Sequence, residues 1–123
     1  MAESSGPGVA APRSTFHQAI RLLNGGDAEG AIAVCREALT EDPDNVNFTA
    51  LLGAILLKAR RFDEAEERLR RAIALAPSFA KPHEDLGLLL AQQRRHGEAE
   101  EMLRRAVSLD PRLEQAHFHL GRV

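Results

Sequence analysis

The feature that most restricts what this chain can become is a recurrence of 34 residues. Proline stands at 43, 77 and 111, each step being 34. The same step relates Ala31, Ala65 and Ala99, then Ala38, Ala72 and Ala106. It also relates Leu52, Leu86 and Leu120, and Gly53, Gly87 and Gly121. These classes differ in chemistry and in phase yet share one period. A period of this length marks a supersecondary unit that cannot bury its apolar face alone and must stack on copies of itself.

Each period holds two helical patterns. Over Val46 to Lys58 and just beyond, Leu52, Ile55, Leu56 and Ala59 form an i, i+3, i+4, i+7 stripe. After a polar break at Arg60 and Arg61, Asp63 to Ala76 places Ala65, Leu69, Ala72, Ile73 and Ala76 on one face. Leu86, Leu89 and Leu90, followed by Ala99, Leu103, Ala106 and Val107, repeat the scheme. Asp44 or Asn45, Ser78 and Asp110 stand where helix N-caps belong, and Pro111 suits a first helical position. Pro43 and Pro77 close the preceding helices. Glu64/Arg68, Glu66/Arg70, Glu67/Arg71, Glu100/Arg104 and Glu101/Arg105 form acid-first i,i+4 pairs, read as a solvated helix face. The small residues have a mechanical role. Ala31, Ala65 and Ala99 fit close helix crossings, and Gly53, Gly87 and Gly121 let a neighbouring helix approach the backbone. The expectation is all-α: a right-handed solenoid of antiparallel helix pairs, about three and a half repeats in seven helices.

With 123 residues the chain supports one domain. Its charge is −2, from 16 basic and 18 acidic residues that are interspersed. It has no Trp or Tyr. Neither a broad attraction for nucleic acid nor a base-stacking platform is expected. No apolar run reaches the roughly 20 residues that span a bilayer, so no membrane insertion is expected. The single cysteine, Cys35, fits a repeat core position and a reducing, cytoplasmic setting. Residues 1–12 are small and polar, read as a flexible tail before a repeat domain over 13–123. That domain divides into 12–45, 46–79, 80–113 and a partial 114–123. The five histidines do not converge: His117 and His119 point apart on a helix, and His83 and His117 are equivalent repeat positions. No metal, no cofactor and no catalytic constellation is expected.

The 34-residue period, Leu-Gly in first helices, Ala-x3-Leu-x2-Ala in second helices and a closing proline together resemble the tetratricopeptide repeat. The match runs from about Pro12 to the C-terminus. The first repeat is degenerate, with Ala19 for the glycine, Gln18 for the leucine and Cys35 for a large apolar residue. Arg60 and Arg94 replace the glycine that Gly26 supplies in the first hairpin turn. A non-glycine residue in left-handed backbone costs about 1–2 kcal/mol, so an altered turn is expected at both. More loosely, the segments at Asn45–Gly53 and Ala80–Gly87 are similar to repeat regions before bacterial sulfotransferase or glycosyltransferase domains.

The resemblance implies a concave groove, lined by first helices, that holds a peptide segment or partner protein. Its candidate residues are Phe16, Ile20 and Leu23, then Asn47, Leu51, Ala54, Leu57 and Lys58, then Lys81, Glu84, Asp85 and Leu88. Such a groove is apolar at its N-terminal end and partly acidic toward its C-terminal end. Packing of Phe16, Ile20, Leu51 and Leu57 on one another or on a missing domain is an equal alternative. The carboxylate clamp of the family's co-chaperones maps onto Phe16, Ile20, Leu51, Lys81 and Asp85. Only Lys81 suits it, so chaperone C-termini are not expected to bind. Two alternatives to a free-standing scaffold remain. One is a non-catalytic module of a larger enzyme. The other is a homodimer through the C-terminal end, where Ala116, Leu120 and Gly121 lack a polar cap.

Overall fold

The structure, a computed structural model, describes residues 12–113 and Gly121. Six α-helices alternate in two sets. First helices are α1 (Pro12–Asn24), α3 (Val46–Lys58) and α5 (Ala80–Gln92). Second helices are α2 (Ala28–Glu41), α4 (Phe62–Leu75) and α6 (His96–Leu109). Each set starts at intervals of 34, so the sequence period is the period of the backbone. The chain is a right-handed solenoid of helical hairpins. The expected seventh helix and the 114–123 repeat fall outside the described residues apart from Gly121, as does the tail up to residue 11.

The three prolines have one geometric cause. Asn45, Phe79 and Leu113 each donate their N–H to the carbonyl three residues back, on Asp42, Ala76 and Asp110, at 3.0–3.1 Å. Pro43, Pro77 and Pro111 thus occupy the second position of a β-turn, where their fixed φ is pre-set. Pro111 is a turn residue and not the first residue of a helix. Of the expected caps, Asn45 accepts from the Phe48 N–H at 3.1 Å. Asp44 instead meets Arg71. Ser78 does not cap α5, whose N-cap position is Phe79 without a side-chain bond. Asp27 caps α2 through Gly30.

The hairpin turns correct a second expectation. In all three, the residue after the C-cap donates to the carbonyl three residues back: Gly26 to Leu23, Arg60 to Leu57 and Arg94 to Ala91, all at 3.0 Å. The next residue reaches one carbonyl further back, Asp27 to Leu22, Arg61 to Leu56 and Arg95 to Leu90. This doubly bonded C-terminus requires a left-handed residue. Gly26 has φ 90°, and Arg60 and Arg94 both have φ 62°. The turn is therefore kept, and the arginines carry its strain. Arg94→Gly should raise stability by about 1 kcal/mol, the left-handed penalty less the chain entropy that glycine adds to the unfolded state. Thermal unfolding measures it, and an unchanged or lower midpoint would show that the turn holds no strain.

Burial follows the repeat. Ala31, Ala65 and Ala99 are fully buried, as are Leu52, Leu69, Leu86 and Leu103. A Cβ added at Gly53 would lie 2.8 Å from Leu69 Cγ, and one at Gly87 would lie 2.7 Å from Leu103 Cγ. Each glycine thus admits the leucine of its hairpin partner. Gly121 differs, being exposed with nothing among the described residues within 4 Å of a Cβ.

Second helices are tied across repeats by arginine and glutamate. Arg36 meets Glu64 at 2.6 Å and Arg70 meets Glu98 at 3.5 Å, both 28 residues on. Arg61 reaches back to Glu29 at 3.1 Å and Arg95 to Glu66 at 3.0 Å. Within helices, only Glu66/Arg70 and Glu100/Arg104 of the five expected pairs form. Glu64 and Arg71 are drawn to other partners. Burial alone would raise the Glu66 carboxyl, but hydrogen bonds from Arg95 and Arg70 hold it below the usual carboxylate range. Exposed pairs of this kind contribute about 0–1 kcal/mol each; they set register more than stability.

Candidate functional site

The first helices lie side by side. Helix α3 packs on α5, and α1 meets α3 through Phe16 and Phe48, edge to face with ring centroids 5.6 Å apart. Their repeat register lays residues out in rows. Ile20, Ala54 and Leu88 form one row, all half-buried. Leu23, Leu57 and Ala91 form another, also half-buried and packed against the core. Leu51 likewise rests on the core with part of its surface open. The rows are bounded by exposed polar groups: Asn47 and Lys81 toward the helix N-termini, and Asn24, Lys58 and Gln92 toward the C-termini. The face is an aliphatic floor between edges of amide and ammonium donors.

Ten of the twelve candidate residues keep at least part of their surface. Phe16, Leu23, Leu51 and Leu57 do so while also packing on the core. Phe48, the partner of Phe16, was not legible, because it sits off the repeat register and no spacing singles it out.

Glu84 and Asp85 depart from expectation. Both are buried, at 1% and 6% exposure. Lys81, one turn earlier, covers them, its Nζ 2.9 Å from Glu84 Oε1 and 3.5 Å from Asp85 Oδ1. Burial works against the Lys81 charge, but the Asp85 and Glu84 carboxylates hold its pKa above the ordinary value. The third repeat therefore presents an ammonium, not an acidic patch. The reason is helical spacing: i,i+3 and i,i+4 place both acids under the same lysine.

Burial raises the Asp85 carboxyl above its ordinary range despite Lys81, and Glu84 adds to the rise. A carboxyl raised in the folded state favours folding below its unfolded pKa, and that contribution is lost as pH rises through the folded value. Asp85→Asn, which keeps a polar group but no charge, should therefore raise the midpoint at pH 7. The gain should vanish well below the ordinary carboxylate range. Denaturant melts across pH read this, and a pH-independent difference would refute it.

His83 is buried, its Nδ1 3.0 Å from the Phe79 carbonyl, with burial and then Arg105 disfavouring its protonation against that bond. Among the described residues no group of three or more His, Cys, Asp or Glu is placed to hold a metal. Among them, too, no helix is long and apolar enough to cross a membrane.

A tetratricopeptide repeat family model matches residues 22–84, and a second model of that description matches 80–113. The chain belongs to the tetratricopeptide repeat family. No curated protein matches it. Among solved structures, a mutant O-GlcNAc transferase of Thermobaculum terrenum is 28% identical with a TM-score of 0.87, over 94% of this chain and 22% of that one. MamA of Desulfovibrio magneticus is 31% identical with a TM-score of 0.81, over 90% of this chain and 63% of that one. The first tetratricopeptide domain of Spaghetti (RPAP3), bound to the HSP90 peptide SRMEEVD, has a TM-score of 0.84 at 20% identity, over 89% and 86%. The chain thus spans about a fifth of the transferase and under two thirds of MamA.

Proposed function

We propose that this tetratricopeptide chain is a non-catalytic protein-binding scaffold whose first-helix face holds a mainly apolar segment of a partner protein. The observation that carries the reading is the pair of rows Ile20–Ala54–Leu88 and Leu23–Leu57–Ala91, still partly open to water between edges of hydrogen-bond donors. Apolar rows of this kind gain from burying a ligand side chain at roughly 25 cal/mol per Å². Amide and ammonium edges can take the backbone carbonyls of an extended chain. With Glu84 and Asp85 withdrawn under Lys81, the face does not call for a basic portion in its ligand. The Spaghetti domain binds its peptide on the same fold. In this chain Phe16, Ile20, Leu51 and Asp85 do not supply a carboxylate clamp, so a chaperone C-terminus is not the ligand.

The test is a titration of the labelled chain with a library of short apolar peptides. Shifts should gather on Ile20, Ala54, Leu57 and Leu88. Ala54→Glu, at a half-buried position in the middle of its row, should weaken binding about tenfold or more, given the cost of burying an unpaired charge. Shifts confined to second helices, or binding indifferent to Ala54→Glu, would move the site elsewhere. The likeness to a stretch of the Thermobaculum transferase favours one further reading, a scaffold segment that serves a larger enzyme.

A further inference from the structure

Arg60 and Arg94 are not explained by the groove. Both occupy left-handed backbone, φ 62°, that the first hairpin gives to glycine. Both are exposed. Neither makes an ion pair among the described residues, whereas Arg36, Arg61, Arg70, Arg71, Arg95 and Arg104 do. Arg60 lies over the Phe62 ring, 5.1 Å from its centroid, which leaves its N–H donors free at the edges. Of the acids around these turns, Glu64 is engaged by Arg36 and Arg61, and Glu66 and Glu98 by Arg70 and Arg95, while Asp63 is exposed and unpaired among the described residues. Lys58, exposed and without a direct ion pair, adds a third cation on the same edge.

We infer that this hairpin-turn edge binds an acidic segment of a partner protein through Arg60 and Arg94. The two arginines are equivalent residues of adjacent repeats. Neighbouring packed helices are about 8–10 Å apart. A polyproline II segment advances about 3.1 Å per residue with three residues per turn. Two carboxylates three residues apart on such a segment lie on one side, about 9 Å apart, and match the pair. The guanidinium fork suits each carboxylate bidentately. A nucleic acid or an anionic membrane fits worse, because the whole chain carries a charge of −2 and the edge offers only three free cations. Retaining arginine where glycine relieves backbone strain is the pattern expected when a functional group is kept at a structural cost. The edge adjoins the Asn24–Lys58–Gln92 side of the groove but does not depend on the groove being occupied.

The conformation makes the test unusually clean. Arg60→Gly with Arg94→Gly removes both charges while restoring the residue the turn prefers, so loss of binding cannot be ascribed to misfolding. The probe is a Gly/Ser peptide with two glutamates three apart, and its glutamine counterpart is the control. In low salt the glutamate peptide should shift the Arg60 and Arg94 amides. The double variant should bind at least about tenfold more weakly while melting at a higher temperature. Equal binding by the double variant, equal shifts from the glutamine peptide, or shifts elicited by duplex DNA or anionic vesicles in place of the peptide would each overturn the inference.

Discussion

Gly87→Val should lower the stability of the fold by about 3 kcal/mol, the upper part of the range for overpacking a filled core. The reason is local. Even a bare Cβ at this position would stand 2.7 Å from Leu103 Cγ, 2.8 Å from Leu103 Cδ2 and 3.3 Å from the Ala99 carbonyl oxygen. The last is backbone of the facing helix and cannot swing aside. Leu103 is fully buried, in an interior packed at near-crystal density. Helices α5 and α6 must therefore separate along their crossing. For a domain of this size the loss should appear as a fall of more than about 10 °C in midpoint. A double-mutant cycle isolates the cause. Leu103→Ala alone should cost about 2–5 kcal/mol by leaving a cavity. Combined with Gly87→Ala it should cost less than the sum of the two single changes, because the new methyl enters the space the leucine leaves. Strict additivity would mean that the glycine is not there to admit Leu103.

How much of this was legible follows from which residues obey the period. Gly53 with Leu69 and Gly87 with Leu103 make the same contact in successive hairpins, so the packing that places them is written 34 residues away in the same chain. The hairpin arginines were legible as departures but not in their consequence. Propensity argues for a relaxed turn at Arg60 and Arg94; the two hydrogen bonds that close each hairpin outweigh it. Glu84 and Asp85 were misread because a groove position was inferred from register alone. Register says which side of the helix a residue is on, and it says nothing of the lysine one turn earlier that covers it. The inter-repeat ties had a sequence signal that spacing within one helix could not expose: Arg36 and Arg70, and their partners Glu64 and Glu98, each recur 34 apart. Gly121 shows the converse, a residue in register that has, among the described residues, no close neighbour like those of Gly53 and Gly87.

Alkylation of Cys35 at pH 8 should be slower in the folded chain than in the denatured chain by more than about a hundredfold. Burial pushes its thiol from 9.0 up to about 11, and the side chain is fully inaccessible. Two units remove about 99% of the thiolate present in an unhindered cysteine at that pH, and only thiolate attacks. The sign for stability follows: protection from ionisation favours folding below pH 9.0 and is lost as pH rises toward about 11. The thiol also reports how far damage travels. Cys35 lies in α2, in the first hairpin, whereas Gly87 lies in α5, in the third. In a solenoid each hairpin contacts its neighbours, and stability is a sum of unit and interface terms. The first hairpin is poor in its own right. It has Ala19 and Cys35 where its copies have Gly53 with Leu69 and Gly87 with Leu103, so it leans on α3 through Phe16 and Phe48. Loss of the third hairpin should weaken the second, and with it the support for the first. Gly87→Val should accordingly speed Cys35 alkylation, although no atom of the substitution approaches the thiol. A Cys35 rate left at the wild-type value in a variant whose midpoint has fallen would show instead that the hairpins open independently.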